Sequence, residues 1–242
     1  MMIKVLSVFV LAAALLPALP LSQCGNGGPV AQNAPAPWGN LAKYKHDNAV
    51  VMTAPAEQRR VVFFGNSITE YWAEKDSAFF ASNGFVGRGI SGQTSYQYLV
   101  RFRQDALNLH PRVVVINAGT NDVAENTHPY DESATMGNII SLVQLARAEE
   151  VQPVLTTTLP CSHFYWNPQI EHVSEKIQSL NRRIKAYAAE QGIPFVDYYT
   201  PMVSSGGSLD SRLSEDGVHP NLEGYKVMEA QVMAVIEPLL RR

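Results

Sequence analysis

Cysteine is scarce in this sequence, since among 242 residues only Cys24 and Cys161 carry thiols. At most one internal disulfide can form, so disulfide bonds cannot provide the framework of the fold. Charged residues are also few, at 17 %, and no internal repeat or heptad pattern is visible. These absences argue against disorder and repeat arrays, and the 46 % of hydrophobic residues predicts one compact domain with a sizeable core.

Basic residues are fewer than acidic ones, 19 against 22. The longest apolar run lies at the N-terminus. Residues 1–24 combine the cationic Lys4 with the run VLSVFVLAAALLPALPL, which is too short and too broken by proline for a good membrane span and is typical of an export signal. Removing that segment takes away Lys4 and changes the formal net charge from −3 to −4. A negative chain does not recruit nucleic acid electrostatically, so we expect no nucleic-acid partner.

The end of that signal, LSQC, resembles a bacterial lipobox, in which Cys24 would be acylated and would anchor the protein to a membrane. Gln23 stands where a small residue is usual, so ordinary cleavage is the alternative. We therefore expect an exported protein, either a periplasmic, cell-surface or outer-membrane lipoprotein or a secreted one. Residues 25–40 are rich in Gly, Pro and Asn and predict a flexible tether, and residues 41–242 form the predicted domain.

Within that domain, short β-branched runs alternate with segments of helical period. Such alternation predicts an α/β fold, a mostly parallel five-stranded sheet with helices on both faces. One helix is predicted to begin with Asn167 as N-cap and Pro168 at its first position, and to end at Gly192. Two more are predicted over residues 133–149 and after Asn221. The five runs are residues 60–65, 84–90, 112–119, 151–159 and 193–199.

Polar residues follow the strands at the edge where ligands bind in sheets of this class. Ser67 follows the first strand, Gly92 the second and Asn121 the third, while Asp216 and His219 stand near the C-terminus. Each alone is an ordinary turn, capping or structural residue. Together they supply what acyl transfer needs, namely a hydroxyl nucleophile, a base, an orienting carboxylate and an anion-binding pocket.

We assign the roles by chemistry. Ser67 is the predicted nucleophile at a helix start, His219 the base, and Asp216 the group that fixes the imidazole tautomer. The backbone N–H groups of Ser67 and Gly92 and the side-chain amide of Asn121 are the predicted oxyanion donors.

Four sequence blocks carrying these residues resemble the SGNH (GDSL-type) hydrolase superfamily. They are FFGNSITE, GRGISGQTS, NAGTNDV and EDGVHPN, they occur in the family's order, and the resemblance covers roughly residues 41–240. It implies a three-layer α/β/α sandwich of flavodoxin-like character and ester hydrolysis through an acyl-enzyme, with no metal and no cofactor. Asp216 matches the family's triad acid. Asn66 departs from the family pattern, which has Asp there, and we expect activity to survive because the Asn carbonyl oxygen still accepts a hydrogen bond.

Several further side chains are candidates for substrate contacts. His128 also follows a strand on the catalytic side, and as a rival base it would pair with Asp131. In the loop PCSHFYWNP, the side chains of His163, Tyr165 and Trp166 are predicted to bind sugar rings or acyl chains, and the alternative is a hydrophobic plug.

Three other residues invite a functional interpretation but favour a structural one. Trp72 is predicted to lie in the core, Arg88 to form a structural ion pair rather than to steer an anion, and Cys161 to be a buried thiol.

Together, these features predict an exported serine esterase that hydrolyses short acyl esters, acetyl above all, on a small molecule or carbohydrate. A lysophospholipase or lipase, or a thioesterase, is the alternative within the superfamily. A catalytically silent glycan-binding module and a flavin-binding protein are the alternatives from other classes. The sequence indicates no oligomeric state.

Overall fold

The structure is a computed structural model that describes residues 38–241, and these residues belong to one compact unit. The predicted export signal, Cys24 and most of the predicted tether lie outside the described residues. Five strands all pair in parallel, in the order β2-β1-β3-β4-β5. The strands are β1 (Val61–Gly65), β2 (Phe85–Gly89), β3 (Val113–Ile116), β4 (Gln152–Thr156) and β5 (Phe195–Val196).

Helices connect these strands and cover both faces of the sheet. The α-helices of the described residues are α1 (Lys45–Thr53), α2 (Ser67–Lys75), α3 (Ser77–Asn83), α4 (Ser95–Asp105), α5 (Thr120–Val123), α6 (Glu132–Ala148), α7 (Val173–Glu190), α8 (Tyr199–Met202) and α9 (Leu222–Leu240). The predicted α/β fold with a flavodoxin-like five-stranded parallel sheet is confirmed, since 2-1-3-4-5 is the flavodoxin strand order.

Two hydrophobic cores lie on opposite faces of the sheet, because successive side chains of a strand point to opposite sides. Phe64 of β1 packs with residues of α4, α6 and α7 on one face, and Phe63 packs with residues of α2, α3 and α9 on the other. Trp72 is buried in the second core, where it stacks on Phe79 and Tyr225. The result is a three-layer sandwich in which β1, an interior strand between β2 and β3, is buried along its whole length.

Two of the three predicted helices begin within one residue of their expected positions, and the third does not. α6 is capped by Asp131 and α9 by Asn221. The prediction that Asn167 caps α7 was wrong, because α7 begins at Val173. The Asn167 side chain instead donates to the carbonyl oxygen of Ala124 at 2.8 Å, and residues 157–172 form a loop between β4 and α7.

The last residues of the predicted tether contact the domain. The carbonyl oxygen of Trp38 accepts from Gln97 at 2.7 Å, and that of Gly39 accepts from Gln93 at 3.2 Å. The chain is therefore already attached beside α4 at Trp38. Within residues 38–241, no helix has both the length and the apolar character needed to cross a bilayer.

Candidate active site

The predicted nucleophile lies at the junction of β1 and α2. Asn66 is the N-cap of α2, and its Oδ1 accepts from the backbone N–H of Ile68 at 3.0 Å. The expected accepting role of Asn66 is therefore observed, while its Nδ2 is buried without a partner among the described residues. α2 rests directly on β2, because a Cβ at Gly89 would collide with the backbone of Asn66 and Glu70. Only glycine permits this approach, which fixes the start of α2 against the sheet.

A hydrogen-bonded chain joins Ser67, His219 and Asp216. The Oγ of Ser67 lies 2.9 Å from Nε2 of His219, and Nδ1 of His219 lies 2.7 Å from Oδ2 of Asp216. An ionised carboxylate only accepts, so Nδ1 carries the proton and Nε2 is left to accept from the Ser67 hydroxyl. The arrangement is that of an activated serine.

Asp216 is held ionised by its own loop. Its Oδ1 accepts from the backbone N–H groups of Val218 at 2.9 Å and His219 at 2.7 Å, and the Oγ of Ser214 lies 3.2 Å away. Partial burial opposes ionisation, but the hydrogen bonds from His219 and Val218 outweigh it and lower the pKa of Asp216 to about 2. The carboxylate therefore remains charged beside the imidazole and can stabilise an imidazolium.

The predicted oxyanion donors line the same cavity as Ser67 and His219, which has a volume of about 230 Å³. Gly92 has φ +77°, a left-handed conformation that glycine adopts without strain. One N–H of the Asn121 amide donates to the carbonyl oxygen of Gln93 at 2.9 Å, which leaves its second N–H for a ligand.

Two networks that the sequence interpretation missed hold the loop after β2. The carboxylate of Glu70 accepts from the backbone N–H and hydroxyl of Ser91, at 2.6 and 2.7 Å, and forms an ion pair with Lys43. Partial burial opposes ionisation of Glu70, but the hydrogen bonds from Lys43 and Ser91 lower its pKa. The charge of Glu70 was visible in the sequence, but its partner 21 residues away was not.

The second network centres on Arg101, which is fully buried. Its guanidinium donates to the carbonyl oxygens of Gly65 at 2.7 Å and Arg88 at 3.0 Å, and to the Gln93 side chain at 2.5 Å. It also forms an ion pair with Asp105 at 3.4 Å. Arg101 thus ties the ends of β1 and β2 to the residue whose carbonyl holds Asn121.

Arg88 does not form the predicted ion pair within the described residues. Its Nε donates to Oδ1 of Asn48 at 2.7 Å, and its guanidinium lies 4.7 Å from the centre of the Tyr44 ring. Because the side chain is buried, a neutral amide and an aromatic face replace the expected carboxylate. Burial also lowers the pKa of Arg88.

The aromatic loop divides its side chains between the core and the cavity. Phe164 is fully buried and plugs the core, whereas Tyr165 is 57 % exposed and Trp166 is 37 % exposed. Tyr165 and Trp166, here called the aromatic wall, both line the cavity. Tyr71, which the sequence interpretation missed, also lines it and lies 5.1 Å from His219 between ring centres. Its position four residues after Ser67 on a helix was the available signal.

His128 and His163 are not among the residues that line the cavity. The Nδ1 of His128 lies 2.7 Å from Oγ1 of Thr127, and its ring packs on Tyr96 at 3.9 Å between centres. His163 is exposed, and its carbonyl oxygen accepts from Sγ of Cys161 at 3.1 Å. His128 therefore packs against α4, and His163 is bonded within its own loop.

Cys161 is a free, buried cysteine. Burial raises the pKa of its thiol to about 12, so the reactive thiolate is suppressed. The thiol belongs to the core, as its isolation from any base in the sequence indicated.

Comparison with known proteins places these features in a family context. The model of the GDSL-like lipase/acylhydrolase family matches residues 63–227. A crystal structure of a GDSL-like lipase from Bacteroides thetaiotaomicron superposes with a TM-score of 0.81 and is 50 % identical, over 84 % of this chain and 99 % of that one.

More distant relatives carry esterase names. The chain is 24 % identical to an acetylxylan esterase of Xylanibacter ruminicola over 76 % of its own length, and it spans only 44 % of that relative. It is 26 % identical to the esterase TesA of Pseudomonas aeruginosa, over 79 % of this chain and 94 % of that one. The family model covers all four sequence blocks, which hold Ser67, Gly92, Asn121 and His219.

Proposed function

The chain belongs to the GDSL-like lipase/acylhydrolase family and is a carboxylic ester hydrolase, and we propose that it is an exported serine esterase that removes short acyl groups, acetyl above all, from carbohydrates. The observation that carries the proposal is the continuous hydrogen-bonded chain from Asp216 through His219 to Ser67, which ends in a small cavity.

Acylation begins when Ser67 Oγ attacks the ester carbonyl carbon while its proton passes to Nε2 of His219. The N–H groups of Ser67 and Gly92 and the free N–H of Asn121 then stabilise the oxyanion. When the tetrahedral intermediate collapses, the alcohol leaves with the proton held on His219. The ionised Asp216 stabilises the imidazolium of His219 throughout, and the hydrogen bond to Asp216 keeps a proton on Nδ1 of His219.

Deacylation repeats these steps with water as the nucleophile. His219 takes a proton from water as the water oxygen attacks the acyl-enzyme, and it then returns that proton to Ser67 as the carboxylic acid leaves. The same oxyanion donors serve both half-reactions because the carbonyl oxygen keeps its position.

Cavity size and lining support a short acyl group. The volume of about 230 Å³ lies below the range of roughly 300–1,000 Å³ usual for pockets that enclose drug-sized ligands. Hydroxyls, amides, an imidazole and aromatic rings line it, and no aliphatic side chain of residues 38–241 does. A long acyl chain would find no apolar aliphatic channel there.

The aromatic wall supports a carbohydrate as the alcohol half. Tyr165 and Trp166 present apolar faces beside the polar Ser91 and Asn126, a combination that suits a ring with both C–H faces and hydroxyl edges. The likeness to an acetylxylan esterase points in the same direction. Residues 1–24 indicate export, which would place the enzyme outside the cytoplasm, in contact with polysaccharide.

Two assays test the proposal. The rates on p-nitrophenyl esters from acetyl to palmitoyl should fall steeply beyond about four carbons, because the cavity cannot hold a longer chain. Acetate should also be released from acetylated xylo-oligosaccharides. A rate that rises with chain length would instead indicate a lipase, and the absence of acetate release would remove the carbohydrate from the proposal.

Asn121→Ala provides the matching test of the oxyanion hole. Loss of one oxyanion donor should lower kcat by roughly 10²- to 10³-fold, with little change in KM. A silent glycan-binding module would show no turnover to lose and no Ser67-dependent labelling by a fluorophosphonate.

A further inference from the structure

Asn126 lines the cavity but takes no part in the proposed mechanism. It is exposed and follows α5, five residues after Asn121. Its backbone N–H donates to the carbonyl oxygen of Asn121 at 3.1 Å. Its place in the chain is therefore tied to one oxyanion donor.

The side-chain amide of Asn126 bridges two further parts of the cavity. Nδ2 donates to the carbonyl oxygen of Gly92 at 3.0 Å, and Oδ1 accepts from Nε1 of Trp166 at 2.9 Å. A carbonyl oxygen can only accept and an indole N–H can only donate, so these two partners fix the orientation of the amide. The two bonds span 34 and 40 residues of sequence.

Gly92 depends on such bonds because little else packs against it. Within the described residues, a Cβ added at Gly92 would meet only Nδ2 of Asn126, at 4.0 Å. The preceding residue, Ser91, donates to Glu70, and the carbonyl oxygen of Gly92 itself accepts from Asn126. The direction of the Gly92 N–H is thus set by hydrogen bonds on either side of it.

The indole of Trp166 depends on the same amide. Its ring contacts Phe164 and Tyr165, at 5.0 and 4.8 Å between centres, but its N–H bonds to Asn126. A single side chain therefore links the aromatic wall to the oxyanion hole.

We propose that Asn126 is a positioning residue that couples the aromatic wall to the oxyanion hole and thereby sets selectivity for the alcohol half of the ester. The inference rests on the proposed function, since it assigns the two ends of the bridge to the acyl and alcohol sides of the same substrate. Hydrolysis of an ester whose alcohol reaches Trp166 depends on both hydrogen bonds of Asn126. Hydrolysis of a minimal ester depends only on the bond to Gly92.

Two isosteric or near-isosteric substitutions separate the bonds. Asn126→Asp keeps an oxygen for the Trp166 indole and replaces the donor toward Gly92 with a second acceptor. We expect kcat to fall about 10-fold on both p-nitrophenyl acetate and an acetylated xylo-oligosaccharide, less than the roughly 10²-fold or greater loss of an oxyanion donor itself. KM should change little.

Trp166→Phe replaces the indole with a phenyl ring, so an aromatic face remains and the N–H is lost. This substitution should raise KM for the oligosaccharide several-fold and raise KM for p-nitrophenyl acetate much less, because the smaller alcohol makes fewer contacts with the wall. Combining Trp166→Phe with Asn126→Ala should cost little more than Asn126→Ala alone, because both remove the same bond.

Asn108→Asp is the matched control. Asn108 is exposed in the turn before β3, and among the described residues no side-chain hydrogen bond involves it. This variant introduces the same charge change away from the cavity and should behave as wild type on both esters.

An NMR measurement tests the bridge without catalysis. In a ¹⁵N-labelled protein the Trp166 indole signal is identified by its loss in Trp166→Phe, and it should shift in Asn126→Ala but much less in Asn126→Asp. Wild-type kcat for Asn126→Asp on both esters, or identical kinetic profiles for Asn126→Asp and Trp166→Phe, would overturn the inference. If Ser67→Ala keeps its activity, the proposed function fails, while the indole shifts still decide whether the bridge exists.

Discussion

The two sides of the cavity are built differently. On the triad side, formed by Ser67, His219 and Asp216, the base and its carboxylate stand three residues apart, and one loop supplies the hydrogen bonds to the carboxylate. On the wall side, Tyr165 and Trp166 are exposed, and Trp166 is held by a hydrogen bond to Asn126, 40 residues away in the sequence. Under the proposed function, short sequence motifs specify the reaction, and contacts between distant loops specify the choice of substrate.

Ser67→Ala gives the largest expected effect on the triad side. Removing the nucleophile should reduce kcat on the order of 10⁶-fold for every ester, because the chemical step no longer exists. Among the described residues the hydroxyl has a single hydrogen bond, to His219, so the thermal unfolding midpoint should hardly move. Hydrolysis of p-nitrophenyl acetate and of an acetylated oligosaccharide measures the loss. Substantial residual activity on either ester would show that the triad side is wrongly identified.

Asp216→Asn should cost about 10⁴-fold in kcat, again equally for both esters. The amide can still accept from the backbone of Val218 and His219, but its NH₂ would face Nδ1 of His219 and favour the wrong tautomer. Steady-state kinetics on both substrates check this. A loss confined to the oligosaccharide would contradict the division between the two sides.

Trp166→Ala tests the wall side and should act on one class of substrate only. Removing the exposed ring should raise KM for the oligosaccharide by about 10-fold, since an aromatic contact contributes on the order of 1 kcal/mol beyond area burial. Hydrolysis of p-nitrophenyl acetate should stay nearly intact. Equal losses on both esters would point to damage to the fold rather than to a missing contact.

The smallest expected effect is on the stability of the fold at acidic pH, compared between wild type and Asp216→Asn. The folded-state pKa of Asp216, about 2, lies below the ordinary value of about 4, so its ionised form stabilises the fold above pH 4. That contribution is lost as the pH falls through 4 toward 2. Urea unfolding at pH 4.5 and pH 2.5 should therefore show a shallower pH dependence for Asp216→Asn than for wild type. Parallel curves would mean that the loop bonds do not favour the charged form.

Sequence patterns predict the sheet and the triad side because both depend on local order. The apolar run before Ser67 marks a strand buried on both faces, and the strand ends place Ser67, Gly92 and Asn121 at one edge. The spacing of Asp216 and His219 fits a carboxylate and imidazole that meet within one loop.

The remaining features depend on partners that no local pattern identifies. Asn167 and Pro168 have the ideal composition for a helix start, yet the carbonyl of Ala124 binds the Asn167 side chain and the helix begins later. Arg88 has the charge for an ion pair, but the fold brings it Asn48 instead. Asn126 gives no signal in its own neighbourhood, since its two partners are far away in the sequence.

The contact at Gly89 has a consequence for how the enzyme would fail on heating. Because the backbone at the start of α2 lies directly on Gly89 of an edge strand, no side chain at that contact can loosen before the sheet itself melts. The wall side has no such support, so discrimination between alcohols should disappear at a lower temperature than hydrolysis of the smallest esters. A warmed enzyme would then become less selective before it became inactive.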